Sequence, residues 1–230
     1  MKNKIIALIK GKNETIHATE TIYIASILTM VGGFVDAYTY ITRDGIFAYA
    51  QTGNIIFLSI SLAKKQFIDA WHYLMSIIIF VIGICFALYI KKILNKKRIF
   101  EFEYVIIFIN SILMFIVGLL PHTFSDSVII SCMAFMSAIF MITFNKVEGL
   151  SYVTNMCTGN LRSASENLFK FIFEKDKTGL KKGLIYIIIL ASFALGAFLG
   201  TLFTGKFGVR AIWICSALLF IVESLMFFDK

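Results

Sequence analysis

The sequence predicts an all-α polytopic membrane protein of six transmembrane helices, built as two inverted three-helix repeats. Three observations predict it. Of 230 residues, 59% are hydrophobic and only 16% are charged, whereas a water-soluble domain carries roughly a quarter charged residues. Six apolar runs approach the ~20 residues that a helix rising ~1.5 Å per residue needs to cross ~30 Å of hydrocarbon. The triplet Thr-Gly-Asn occurs twice, at 52–54 and 158–160, at the same place in the order of spans.

The apolar runs cover 21–41, 71–90, 104–120, 128–144, 184–203 and 211–227. The third and fourth are joined by a short turn holding Pro121, the sole proline, which suits such a break because its ring cannot continue a helix. Two further stretches are ambiguous, the first apolar enough to cross but interrupted and the second not expected to cross unaided. Residues 45–63 are interrupted by Gln51, Thr52, Gly53 and Asn54, and residues 149–173 hold Arg162, Glu166 and Lys170. Cytoplasmic loops carry the excess of lysine and arginine. With both termini cytoplasmic, only Arg43, Lys64, Lys65, Lys206 and Arg210 of the 22 basic residues fall outside. If 45–63 crossed, the cluster Lys91, Lys92, Lys96, Lys97 and Arg98 would move outside too. The net charge of +8 is therefore orientation charge, and no nucleic-acid partner is expected. Trp71 and Trp213 fall at outer span ends, where indole rings prefer the headgroup level.

The chain reads as a single membrane domain over 1–230, with repeat 1 at about 21–120 and repeat 2 at about 128–227. Each half runs span, TGN segment, span, span. Ser26, Thr29, Gly33, Asp36 and Tyr40 stripe one face of the first span. Ser131, Ala134, Ala138, Met141 and Asn145 follow in the fourth at a constant offset. Gly83 and Ala87 in the second span correspond to Gly196 and Gly200 in the fifth, where Ser192 and Thr204 extend the small-residue stripe. An odd number of spans per repeat sets the halves in opposite orientations, an architecture of many secondary transporters. Each TGN then begins a broken or re-entrant helix, one entering from outside and one from the cytoplasm.

The blocks GGFVDAYTY (32–40), GIFAYAQTGNIIFL (45–58) and MCTGNLRSA (156–164) resemble the YoaK-like family of small bacterial integral membrane proteins, a domain of unknown function, over nearly the whole chain. The resemblance implies a multi-pass protein of the bacterial cytoplasmic membrane. It implies no substrate.

Function is therefore read from residues. Asp36 is the only acidic residue well inside a span, and charge there usually marks a pathway or an ion pair. Its structural alternatives are a bond to Arg43 or to the amides of the TGN segment. Thr or Asn of each triplet can cap a helix start, and Gly allows close backbone approach. The expected substrate-binding set is Asp36, Gln51, Thr52, Gly53, Asn54, Thr158, Gly159 and Asn160. Its ligand is a small polar solute with an anionic or strongly accepting group, held where two helix N-termini converge. The expected activity is that of a small secondary transporter or permease. A channel-like conduit and a solute-binding subunit of a separate energising module are the alternatives.

The partners expected are the lipid bilayer, the solute, and a second copy, since a homodimer would enlarge the modest cavity that 230 residues enclose. No enzyme, cofactor or metal is expected. His17, His72 and His122 lack catalytic company, and Cys85, Cys132, Cys157 and Cys215 lack ligand or redox spacing.

Overall fold

The computed structural model describes residues 18–94, 96–121, 123–154 and 156–228. His17, His122 and the N-terminal lysines used to orient the chain lie outside them. A short 3-10 turn, Ala18–Glu20, leads into α1 (Ile22–Thr42), and α2 (Gln51–Ala63), α3 (Phe67–Ile93) and α4 (Lys96–Leu119) follow. After the Pro121 turn come α5 (Asp126–Thr143), a hairpin of β1 (Lys146–Val147) and β2 (Leu150–Ser151), and α6 (Cys157–Phe173). The chain ends in α7 (Lys177–Phe207), a 3-10 turn Gly208–Ile212, and α8 (Trp213–Phe228).

Five helical stretches among the described residues are long and apolar enough to cross a membrane: Ile22–Thr42, Phe67–Ile93, Glu101–Leu119, Asp126–Thr143 and Lys177–Met226. The last comprises α7 and α8, divided at Gly208, whose φ of 57° breaks the helix. α2 is apolar but only 13 residues long. α7 starts on a conventional cap. Asp176 Oδ1 accepts from the Thr178 amide at 2.8 Å and the carboxylate also takes the Thr178 hydroxyl, which holds it below the ordinary carboxylate pKa.

Three helix pairs make the main contacts between residues 21–120 and residues 128–227. α1 and α7 run parallel at very short separation. A Cβ at Gly196 would overlap the Met30 carbonyl, one at Gly33 the Phe193 carbonyl, and one at Gly200 would sit 2.8 Å from the Phe34 carbonyl. α3 and α5 make the same kind of contact. A Cβ at Gly83 would lie 2.8 Å from both the Phe135 carbonyl oxygen and Ala138 Cβ. Further along that pair, Lys91 Nζ donates to the Ile142 carbonyl. The small-residue face of α7 thus packs neither within a repeat nor across a dimer. It joins α7 to α1 of the same chain.

α4 and α8 run antiparallel. Trp213 Nε1 donates to the Phe115 carbonyl at 3.0 Å, and Phe108 meets Phe220 edge-on. Between these contacts Ser111 and Ser216 donate to each other's backbone carbonyls, at 3.1 and 2.9 Å. The outward surface is apolar: Ile55, Ile56, Ile82, Tyr89, Phe198 and Ile221 are among its exposed side chains. Single exposed apolar residues are ordinary, but a surface this continuous calls for a lipid solvent.

Candidate functional site

Past Thr42 the chain reverses. Asp44 and Gly45 both take positive φ, 50° and 71°, a conformation that Gly adopts freely and Asp tolerates. The segment then passes back along α1. The Tyr49 and Ala50 amides donate to Asp36 Oδ1 at 2.8 and 3.1 Å, and the Ala48 amide donates to Thr39 Oγ1 at 3.2 Å. Asp36 precedes the end of α1 by six residues, so the chain has returned about 9 Å along the helix. From the other half, Ser137 Oγ on α5 donates to the Ala48 carbonyl at 3.1 Å. Ile46, Ala48 and Tyr49 are buried. Asp36 therefore holds the two residues that lead into α2, and the bond to Arg43 is not made.

The triplets sit in the first turns of α2 and α6, and their asparagines point backwards. Asn54 Oδ1 accepts from the Phe47 amide at 3.0 Å while its Nδ2 donates to the Phe47 carbonyl at 2.7 Å. Asn160 does the same to Val153, at 3.1 and 2.8 Å. In both halves the bonded residue lies seven positions upstream. Asn54 Nδ2 also reaches Gln51 Oε1 and Ser76 Oγ, at 2.9 and 3.2 Å. Each asparagine thus closes the loop before its helix instead of capping the helix itself. Ala50 and Met156 occupy the N-cap positions and supply no side-chain cap.

The other expected site residues are placed differently. Thr52, Thr158 and Gly159 are exposed, and Gln51 and Gly53 are half-buried. Gly53 abuts the Phe47 ring, which a Cβ would approach to 2.6 Å, but nothing lies within 4 Å of a Cβ at Gly159. Close approach is thus a property of the first triplet only. The structure brings together Asp36, Gln51 and Asn54 around one buried loop. It ties Asn160 separately to its own loop. The second half reaches this loop through Ser137 on α5, whose hydroxyl donates to the Ala48 carbonyl.

Two further contacts join helix ends. Arg43, whose side chain is 0% exposed, donates from Nη1 to Asp126 Oδ1 at 2.7 Å. Asp126 opens α5, where a carboxylate also favours the helix dipole. At the opposite ends of α1 and α5, Glu148 Oε1 accepts from the amide of Ile22, the first residue of α1, at 3.2 Å. The Glu148 amide donates to the Glu20 carbonyl at 2.7 Å, with Lys146 Nζ 3.9 Å from Glu20 Oε1. Glu148 and Gly149 repeat the positive φ pair of Asp44 and Gly45, at 48° and 75°. The loop after each half's first helix therefore clasps the start of the other's. Asp126→Asn keeps an acceptor for Arg43 but removes its counter-charge, and a hydrogen bond to a charged group is worth about 2 kcal/mol. Thermal unfolding in detergent should register that loss, and an unchanged midpoint would show the pair to be idle.

Sequence reasoning missed Asp126, Glu148, Tyr49 and Ser137, and it offered Arg43 to Asp36 where the structure pairs it with Asp126. A signal for the clasps was present in the dipeptides Asp44-Gly45 and Glu148-Gly149, an acidic residue before glycine shortly after each half's first span. Tyr49 and Ser137 act through the loop backbone and hydroxyl geometry, which composition does not reveal.

The family described as "Protein of unknown function (DUF1275)" matches residues 24–225. The chain belongs to this family. It is also similar to the "UPF0700 transmembrane protein YoaK" of Bacillus subtilis (strain 168), with 24% identity over 204 residues, covering 85% of this chain and 89% of that protein. No solved structure matches. With its apolar helices and a transmembrane relative, the chain is a multi-pass membrane protein.

Proposed function

We propose that the protein is a small secondary transporter of the bacterial cytoplasmic membrane, with both termini in the cytoplasm. It moves a small polar solute bearing an anionic or strongly accepting group. The observation that carries this reading is the convergence at Asp36. Its carboxylate holds the backbone leading into the first TGN helix, and Ser137 of the second half bonds the same loop at the Ala48 carbonyl. Non-helical backbone at membrane depth is tolerated where it is buried in protein or lines a cavity. The loop 43–50 meets that condition, and the dipole of the helix that starts beside it favours an anion there.

The inverted repeat belongs to the same proposal. Its supports are the parallel pairs α1–α7 and α3–α5, the antiparallel α4–α8 pair, and the reciprocal Ser111–Ser216 bonds. Helices that are equivalent across a two-fold axis in the membrane plane make such reciprocal contacts. A carrier is favoured over an open conduit by the two clasps. They close α1 against α5 at opposite ends, and alternating access opens such closures in turn.

The test is uptake by liposomes holding only this protein, with radiolabelled monocarboxylates, dicarboxylates and inorganic phosphate as probes. Saturable uptake accelerated by counter-loaded unlabelled probe supports a carrier. Non-saturating flux would replace that reading with a conduit. Binding without any flux would make the protein a subunit of another system.

A further inference from the structure

We propose that Asp36 is a proton-binding site and that its proton enters together with the solute. The proposal rests on the transporter reading for its second half only.

Its basis is an asymmetry between the two carboxylate oxygens. Oδ1 accepts the Tyr49 and Ala50 amides. Oδ2 is buried and has no partner, and neither has the hydroxyl of Tyr49, the residue whose amide Oδ1 holds. Asp36 as a whole is 4% exposed. The basic side chain nearest in sequence, Arg43, pairs through Nη1 with Asp126, and its buried Nε and Nη2 make no hydrogen bond to Asp36. Among the described residues no lysine, arginine or histidine nitrogen lies within 4.0 Å of the Asp36 carboxylate. A charged carboxylate with one bare oxygen in a water-poor interior is strongly disfavoured. A proton on Oδ2 neutralises it and leaves both bonds to Oδ1 in place. The loop thus stays held in either protonation state, and only the charge changes.

That charge sits beside the α2 N-terminus, whose amides favour an anion. With Asp36 ionised, an anionic solute meets a like charge. With Oδ2 protonated, the repulsion is gone and the positive end of the helix dipole remains. The proton is taken from the aqueous phase on the side of entry and released to the other after the solute departs. Net movement is one proton with each solute.

The experiment is pH-difference infrared spectroscopy of the intact protein in lipid nanodiscs, in potassium buffer without added solute. A carboxylic-acid carbonyl band should appear on acidification, shift in deuterium oxide and be lost in Asp36→Asn. The amide of that variant still accepts the two backbone donors, so the fold is expected to persist. If Asp36→Asn fails to fold, Asp36→Glu provides the assignment by moving the band. Absence of an Asp36-dependent band in folded protein would overturn the proposal. So would suppression of the band by sodium chloride at constant pH, which would make the site one for a metal cation. Because no solute is involved, the band can be present while liposome uptake fails, which would refute the transporter reading alone. Probe uptake without the band would refute the proton site alone.

Discussion

Gly196→Leu should abolish stable folding, while Gly205→Leu in the same helix should leave it intact. At Gly196 the obstacle is the Met30 backbone, with its carbonyl oxygen, carbonyl carbon and Cα all inside contact distance of an added Cβ. A flexible side chain could move aside, but the backbone of α1 can yield only by moving the whole helix. That helix carries Asp36 and is held by Gly33 and Gly200 contacts of the same kind. Overpacking of this sort lies in the exceptional range of single-residue effects, at least about 4 kcal/mol. At Gly205 nothing lies within 4 Å, so leucine meets open space and the change should stay within about 0.5 kcal/mol. Monodispersity in detergent and the unfolding midpoint of both variants decide the matter. A Gly196→Leu protein with the wild-type midpoint would mean that α1 and α7 do not pack this closely.

The site of that contact was legible as a stripe, but its partner was not. Ser192, Gly196, Gly200 and Thr204 mark a helix face that admits close approach. Small residues do not encode which helix approaches. The partner follows from where the two halves meet, a property of the whole chain. Spans were legible because hydropathy over ~20 residues averages away local detail. The division of the long apolar stretch Lys177–Met226 into α7 and α8 was legible too, because the polar break at 204–210 separates the runs 184–203 and 211–227. Asp36 stood out in the sequence by its solitude within a span. Its bonding was not legible, because it acts on the amides of Tyr49 and Ala50, which every residue type possesses. Arg43 shows the converse. Its spacing from Asp36 made an ion pair between them conceivable, but Asp126 competes from 83 positions away.

Asn54→Ala should destabilise the protein by about 4 kcal/mol, more than Asn160→Ala, and both should impair any solute flux. The ranking comes from counting what each side chain satisfies. Removing either asparagine leaves an amide and a carbonyl without their partner, at Phe47 or Val153. Each unsatisfied buried polar group costs about 1–3 kcal/mol. Asn54 additionally holds Gln51 Oε1 and Ser76 Oγ, so its loss also loosens α2 from α3. It lies fully buried, and water is poorly placed to replace it. The first loop is also the one that Asp36 fixes, so its release should carry the α2 N-terminus away from the carboxylate. Asn54→Asp separates the two roles of the side chain: it keeps the acceptor for Phe47 N–H and removes every donor. It should therefore fall between wild type and Asn54→Ala in unfolding midpoint unless the added charge itself dominates, which a pH series would reveal. The converse ranking, with Asn160→Ala the more damaging, would show that the second loop fixes the site and that the first merely closes around it.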